Sequence, residues 1–156
     1  MFYLCHDINQ VYVSKWQFEF KMKKYLIILI TIFVPLLMHA QSFKGYYYND
    51  EYQLYLIINA DSCNIEVPDQ EIYGQLAGYF GSKRDSRLWL ITECKRINDK
   101  KVEITVINDY GSEDFTAILT EEKEGYIKFK HKEGSTFKIV VNSKYVKIPK
   151  ELVLHH

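Results

Sequence analysis

The stretch KVEITVINDYGSEDFTAIL, residues 101–119, decides the fold class. Val102, Ile104 and Val106 alternate with Glu103 and Thr105. This is the period of a half-buried strand, whose side chains point alternately to its two faces, and not the 3.6-residue period of a helix. Asn108-Asp109-Tyr110-Gly111-Ser112 then supplies turn chemistry, and alternation resumes with Phe115, Ala117 and Leu119 against Thr116 and Ile118.

Working outward, the same pattern recurs. Toward the N-terminus, Asn98-Asp99-Lys100 is a hairpin turn that follows a strand over residues 88–97, itself preceded by the polar turn 82–86. Residues 72–80 form a further strand in which Gly74 and Gly78, with Gly81 just beyond, permit a bend or bulge. Residues 63–67, 52–59 and 43–48 complete that side, separated by Ala60-Asp61-Ser62 and Asn49-Asp50-Glu51. Toward the C-terminus, strands are expected over 126–131, 137–141 and 145–148, the last ended by Pro149, with His155 and His156 in a fraying terminus. No window from Phe43 to Ile148 carries the i, i+3, i+4, i+7 apolar pattern of a helix. The expectation is an all-β domain, an antiparallel meander of about 8–10 short strands that forms a closed or partly open barrel, or alternatively a two-sheet sandwich. Closure is attractive because it removes exposed strand edges.

A different grammar precedes this domain. Lys23-Lys24, the apolar run LIILITIFVPLLM over residues 26–38, and His39-Ala40 have the basic, apolar and small-residue order of a secretory signal peptide. The run falls short of the ~20 apolar residues of a spanning helix, so no stable membrane insertion is expected after cleavage. Met22 sits directly before the basic pair, which makes 22–40 the signal peptide, 1–21 an upstream extension foreign to the native product, and 41–156 a single all-β domain. The product is then exported, periplasmic or extracellular. Removing the leader takes Cys5 with it and leaves Cys63 and Cys94. An even count in an exported chain suggests a disulfide, closing a loop of about 32 residues; two buried thiols are the alternative.

The opening residues Phe43-Lys44-Gly45-Tyr46-Tyr47 resemble the first strand of lipocalin-like (calycin) barrels, where G-x-W opens the barrel; Tyr47 stands here in place of the tryptophan. The layout of leader plus small β domain is also similar to that of small exported bacterial proteins. These resemblances imply a barrel and a location, with no activity attached.

Composition narrows the function classes. With 47% hydrophobic and 15% aromatic residues the chain can bury a core, and 20 Lys+Arg against 20 Asp+Glu lack the basic footprint that nucleic acid requires. No H-E-x-x-H, C-x-x-C, G-x-S-x-G or glycine-rich phosphate loop occurs. His131, between Lys130 and Lys132, reads as a solvated histidine, and Glu113-Asp114 and Glu121-Glu122 as solvated turn carboxylates. The acidic run 108–114 lacks the ligand order of a calcium loop. No catalytic residue, metal site or cofactor is assigned.

The chemistry that stands out is aromatic. Tyr46, Tyr48, Tyr52, Tyr55, Tyr79 and Trp89 are the candidate ligand-binding residues, since rings with polar tips suit sugar stacking, an apolar cup or a protein interface. High β-propensity alone also accounts for tyrosines in strands. Two functions follow: a non-catalytic binding module for a small apolar or glycan ligand or a protein partner, or a structural and interaction protein of the envelope with no ligand. An aromatic-lined cavity favours the first; a filled interior with an apolar outer patch favours the second.

Overall fold

Strand-period alternation is realised along the domain. The computed structural model describes residues 43–123 and 125–156; the segments expected from the sequence to be a signal peptide and an upstream extension lie outside the described residues. The strands are β1 Lys44–Asn49, β2 Leu54–Asn59, β3 Ile65–Glu66, β4 Gln75–Leu76, β5 Gly78–Ser82, β6 Asp85–Asn98, β7 Lys101–Asn108, β8 Asp114–Lys123, β9 Tyr126–Gly134, β10 Lys138–Val141, β11 Lys144–Lys147 and β12 Glu151–His155. Eight of them close a barrel in the order β1-β12-β9-β8-β7-β6-β5-β2, each pair antiparallel. The alternatives left open by the sequence, sandwich and open barrel, are thereby resolved to a closed meander. Two small hairpins interrupt it: β3–β4 between β2 and β5, and β10–β11 between β9 and β12.

The interior is filled by side chains. Leu54, Leu56, Ile58, Ile104, Val106, Phe115, Ala117, Leu119, Ile127, Phe129 and Leu154 belong to one buried cluster, each from the inward phase of its strand. Phe137, in the connection between β9 and β10, sends its ring among Phe80, Trp89, Phe115 and Phe129, with centroid separations of 5.2–5.7 Å. The connection that could have left a mouth open thus carries its own stopper.

Phase matters most on β6. Trp89 and Ile91 point into the barrel, whereas Leu88 and Leu90 point out and pack with Tyr79, Ile57, Val67 and Leu76 in a second cluster under the β3–β4 hairpin. A register shift between Ile91 and Glu93 then puts Cys94 opposite the inward Ile104. Both faces of 88–91 are apolar because both are covered.

Several expected boundaries move. Tyr52 and Gln53 lie in the β1–β2 turn, with Gln53 at φ 50°, so β2 starts at Leu54. The expected strand 72–80 is a 3-10 turn over Glu71–Tyr73, then β4 and β5; Gly74 at φ 64° breaks the first from the second, since a left-handed backbone cannot continue a strand. The terminal residues do not fray: they form β12, which pairs with β9 from Glu151↔Lys130 to His155↔Tyr126 and buries Leu152 and Leu154. Its other edge meets β1 at Tyr48↔His155, reinforced by the Asn49 side-chain amide donating to the Val153 carbonyl at 3.0 Å. His155 Nε2 also lies 2.8 Å from Asp50 Oδ2.

Candidate functional site

The candidate site lies at one end of the barrel, where the β5–β6 turn, the β7–β8 loop and the β10–β11 hairpin converge. It is built from the loop upward. Asn108, nearly buried at the end of β7, accepts the Ser112 and Glu113 N–H groups on Oδ1 at 2.9 and 3.3 Å, and its Nδ2 donates to Ser112 Oγ at 3.0 Å. Gly111 takes φ 67°, a left-handed turn that a side chain would strain. The loop therefore wires itself to Asn108 and leaves Tyr110 76% exposed.

Opposite, Asp85 at the start of β6 is 8% exposed in its side chain and its acceptors are taken. Oδ2 accepts the Val140 N–H at 2.6 Å, while Oδ1 accepts the Arg87 N–H and the Arg87 Nε–H, each at 3.2 Å. Arg87 Nη1 donates to the Tyr145 hydroxyl at 3.4 Å, and the guanidinium carbon sits 5.3 Å from the centroid of that ring. Burial alone would lower the Arg87 pKa; hydrogen bonds to Tyr145 and Asp85 and the Asp85 charge outweigh it, so the net direction is upward. The Lys138 ammonium also approaches the Tyr145 ring, at 4.8 Å, and donates to Glu113 Oε1 at 2.6 Å.

These groups enclose a cleft of about 210 Å³, lined also by Trp89 and Asp109. Trp89 is its floor: 5% exposed, its indole N–H donating to the Lys138 carbonyl at 3.0 Å and its ring on Phe115 and Phe137. Tyr145, 64% exposed on β11, is a wall. The cleft combines aromatic faces with paired charges, and its volume is below the ~300–1,000 Å³ of pockets for drug-sized ligands, which suits a ligand of one ring.

Of the six residues singled out in the sequence, only Trp89 joins this cleft. Tyr46, Tyr55 and Tyr79 form a ladder on the outer face of β1, β2 and β5: Tyr46 stacks on Tyr55 at 5.9 Å, and Tyr55 meets Tyr79 edge-on at 6.1 Å. Burial, then the neighbouring rings, push the Tyr55 and Tyr79 hydroxyls up. Tyr55 lies across Gly81, where an added Cβ would come within 2.3 Å of its ring. Tyr48 faces His155 and carries the Lys83 ammonium 4.7 Å from its centroid; Tyr52 packs against the interior cluster from the β1–β2 turn. Tyr46, Tyr55 and Tyr79 thus mark an outer face, while Arg87, Tyr110, Glu113, Lys138 and Tyr145, which line the cleft, carry no shared sequence signal.

His131 differs from its reading as a solvated residue. It is half-buried, its ring stacks on Phe115 at 5.2 Å, and Nε2 lies 2.9 Å from the Ser135 carbonyl. Its inward phase on β9, two residues after Phe129, overrides the flanking lysines. Among the described residues, no three His, Cys, Asp or Glu side chains gather as metal donors.

Cys63 and Cys94 carry free thiols, so the expected bridge is not formed in the structure. Cys63 is exposed after β2; the Cys94 thiol is pushed up to about 12, by burial first and then by nearby Cys63 and Asp61. A buried, protonated thiol is a poor nucleophile. Iodoacetamide at about pH 8 should therefore label Cys63 in the folded protein and spare Cys94. Peptide mapping that finds the two labelled at equal rates would show that β6 does not shield Cys94.

Compared with known proteins, the chain matches no family model, no curated sequence and no solved structure, so its site stands on its own geometry.

Proposed function

We propose that the protein is an exported, non-catalytic binding module that holds a small glycan-type ligand in the end cleft. The observation that carries this reading is the cleft itself: exposed Tyr110 and Tyr145 rings stand above a Trp89 floor, beside Arg87, Lys138, Glu113 and Asp109. Sugars present apolar C–H faces that stack on aromatic rings and hydroxyls that take charge-assisted hydrogen bonds, and this cleft offers both. A ligand held at the rim departs from the lipocalin-like resemblance in one respect: Phe137 and its neighbours occupy the interior where a cup would be.

The test is a titration of the full chain with a panel of mono- and oligosaccharides, read by two-dimensional NMR at the Trp89 indole N–H. Tyr145→Ala should weaken binding by about 3- to 10-fold, the worth of one stacking ring. Because Tyr145 is mostly exposed, the same substitution should change stability by no more than about 0.5 kcal/mol. A folded protein that ignores every sugar would sink this reading. The exposed edge of the ladder at Tyr46, beside the apolar Ile57, would then become the better site, as a protein-contact surface.

A further inference from the structure

We propose that the ligand of the cleft is an acidic sugar, its carboxylate taken by Arg87 and its hydroxyls by the remaining acceptors; this rests on the cleft reading above.

The cleft's own residues already use part of its hydrogen-bonding capacity. Of the N–H groups of the Arg87 guanidinium, Nε–H goes to Asp85 and one hydrogen of Nη1 to Tyr145. Both hydrogens of Nη2 and the second of Nη1 have no acceptor among the described residues, and these form the end-on fork that matches the two oxygens of a planar carboxylate. The fork is held in place rather than waving in solvent. Asp85, buried and pinned by the Val140 and Arg87 backbone N–H groups, grips it from behind, and the Tyr145 ring lies along it. A guanidinium immobilised before the ligand arrives loses less entropy on binding, which is the usual cost of recruiting a long side chain. Asp85 is thus a positioning residue for Arg87.

Lys138 adds a second cation. One of its N–H groups goes to Glu113 Oε1, and the others have no acceptor among the described residues and lie beside the same ring. On the acceptor side, Asp85 already accepts three N–H groups, whereas Glu113 Oε2 and the Asp109 carboxylate take no hydrogen bond from the described residues and belong to residues that line the cleft. The spare donors are therefore cationic and the spare acceptors anionic. A neutral sugar would satisfy the acceptors with its hydroxyls and leave the fork facing water. A ring carrying both a carboxylate and hydroxyls satisfies both sets, and its C–H face can lie on Tyr145.

The experiment compares glucuronate, glucose, glucosamine and benzoate on the full chain, with the Trp89 indole and Arg87 side-chain N–H signals as reporters. Glucuronate should bind at least ~10-fold tighter than glucose, and the advantage should fall as salt is raised. Arg87→Gln should level the two sugars. If that variant proves unfolded by its thermal melt, Tyr145→Phe, which keeps the ring but removes the hydroxyl that receives Nη1, should narrow the preference instead. Equal binding of glucose and glucuronate would overturn the acidic inference while leaving a sugar cleft. Tighter binding of glucosamine would overturn it in favour of Asp109 and Glu113 as the selecting charges. Benzoate as effective as glucuronate would show that a carboxylate on any flat ring suffices, against the sugar. Silence with all four probes up to about 10 mM would remove the cleft reading itself.

Discussion

Phe137→Ala should cost about 3–5 kcal/mol of unfolding free energy, the range for truncating a fully buried phenylalanine. The position earns this figure by its surroundings. The ring is 1% exposed and touches Phe80, Trp89, Phe115 and Phe129, so removing it strips contacts from four further aromatic side chains. The backbone cannot collapse into the gap, because the Phe137 carbonyl is tied to the Ile148 N–H at 2.9 Å and the following strands are paired from Lys138↔Lys147 to Val141↔Lys144. A dry apolar cavity should remain, of the kind that accepts small apolar molecules. Urea unfolding measures the loss, and benzene should raise the thermal midpoint of the variant while leaving that of the native protein unchanged. A loss below about 1 kcal/mol would mean that the connection between β9 and β12 rests on the barrel without stoppering it. That result would reopen the interior as a ligand cup.

Sequence reading reached the architecture where periodicity is local. Val102, Ile104 and Val106 on β7 and Phe115, Ala117 and Leu119 on β8 alternate cleanly and all face inward, as their period requires. The reading blurred where tertiary cover changes the rule. Leu88 to Ile91 are all apolar because the β3–β4 hairpin buries the outer face of β6 as well as the barrel burying the inner one. The bulge after Ile91 is also silent in composition, yet it turns Cys94 inward. The cleft was less legible still. Arg87, Glu113, Lys138 and Tyr145 come from four separate strands and loops, and each alone is an ordinary surface residue. Only the Asn108-to-Ser112 turn signalled an ordered loop there, and nothing in it names the cations it faces. The dense tyrosines of β1 and β2 point elsewhere, because a strand displays alternate residues on its outside whatever its function.

Ending the chain after Lys150 should abolish the native fold. The residues removed make up β12, whose alternation of Leu152 and Leu154 with Glu151 and Val153 is as regular as that of β7, although Pro149 and the terminal position suggested that structure had already stopped. The deletion takes away two buried leucines, each worth about 2–5 kcal/mol even when only truncated to alanine. It also leaves β9 without its partner from Lys130 to Tyr126, and β1 without Tyr48↔His155. The long edge of β9 then faces water, β1 loses its one closing pair, and Ile127, Phe129 and Tyr47 lose their cover. The combined loss matches or exceeds the ~5–15 kcal/mol that holds a typical domain together. The expected product shows collapsed amide dispersion, no cooperative melt and a tendency to aggregate through the new edges. Leu154→Ala in the full-length chain separates burial from closure: it should keep the barrel and a cooperative melt, with a loss of about 2–5 kcal/mol. A truncated chain that melts cooperatively near the full-length midpoint would show that the remaining seven barrel strands stand as an open sheet, and that β12 seals the barrel without being needed to form it.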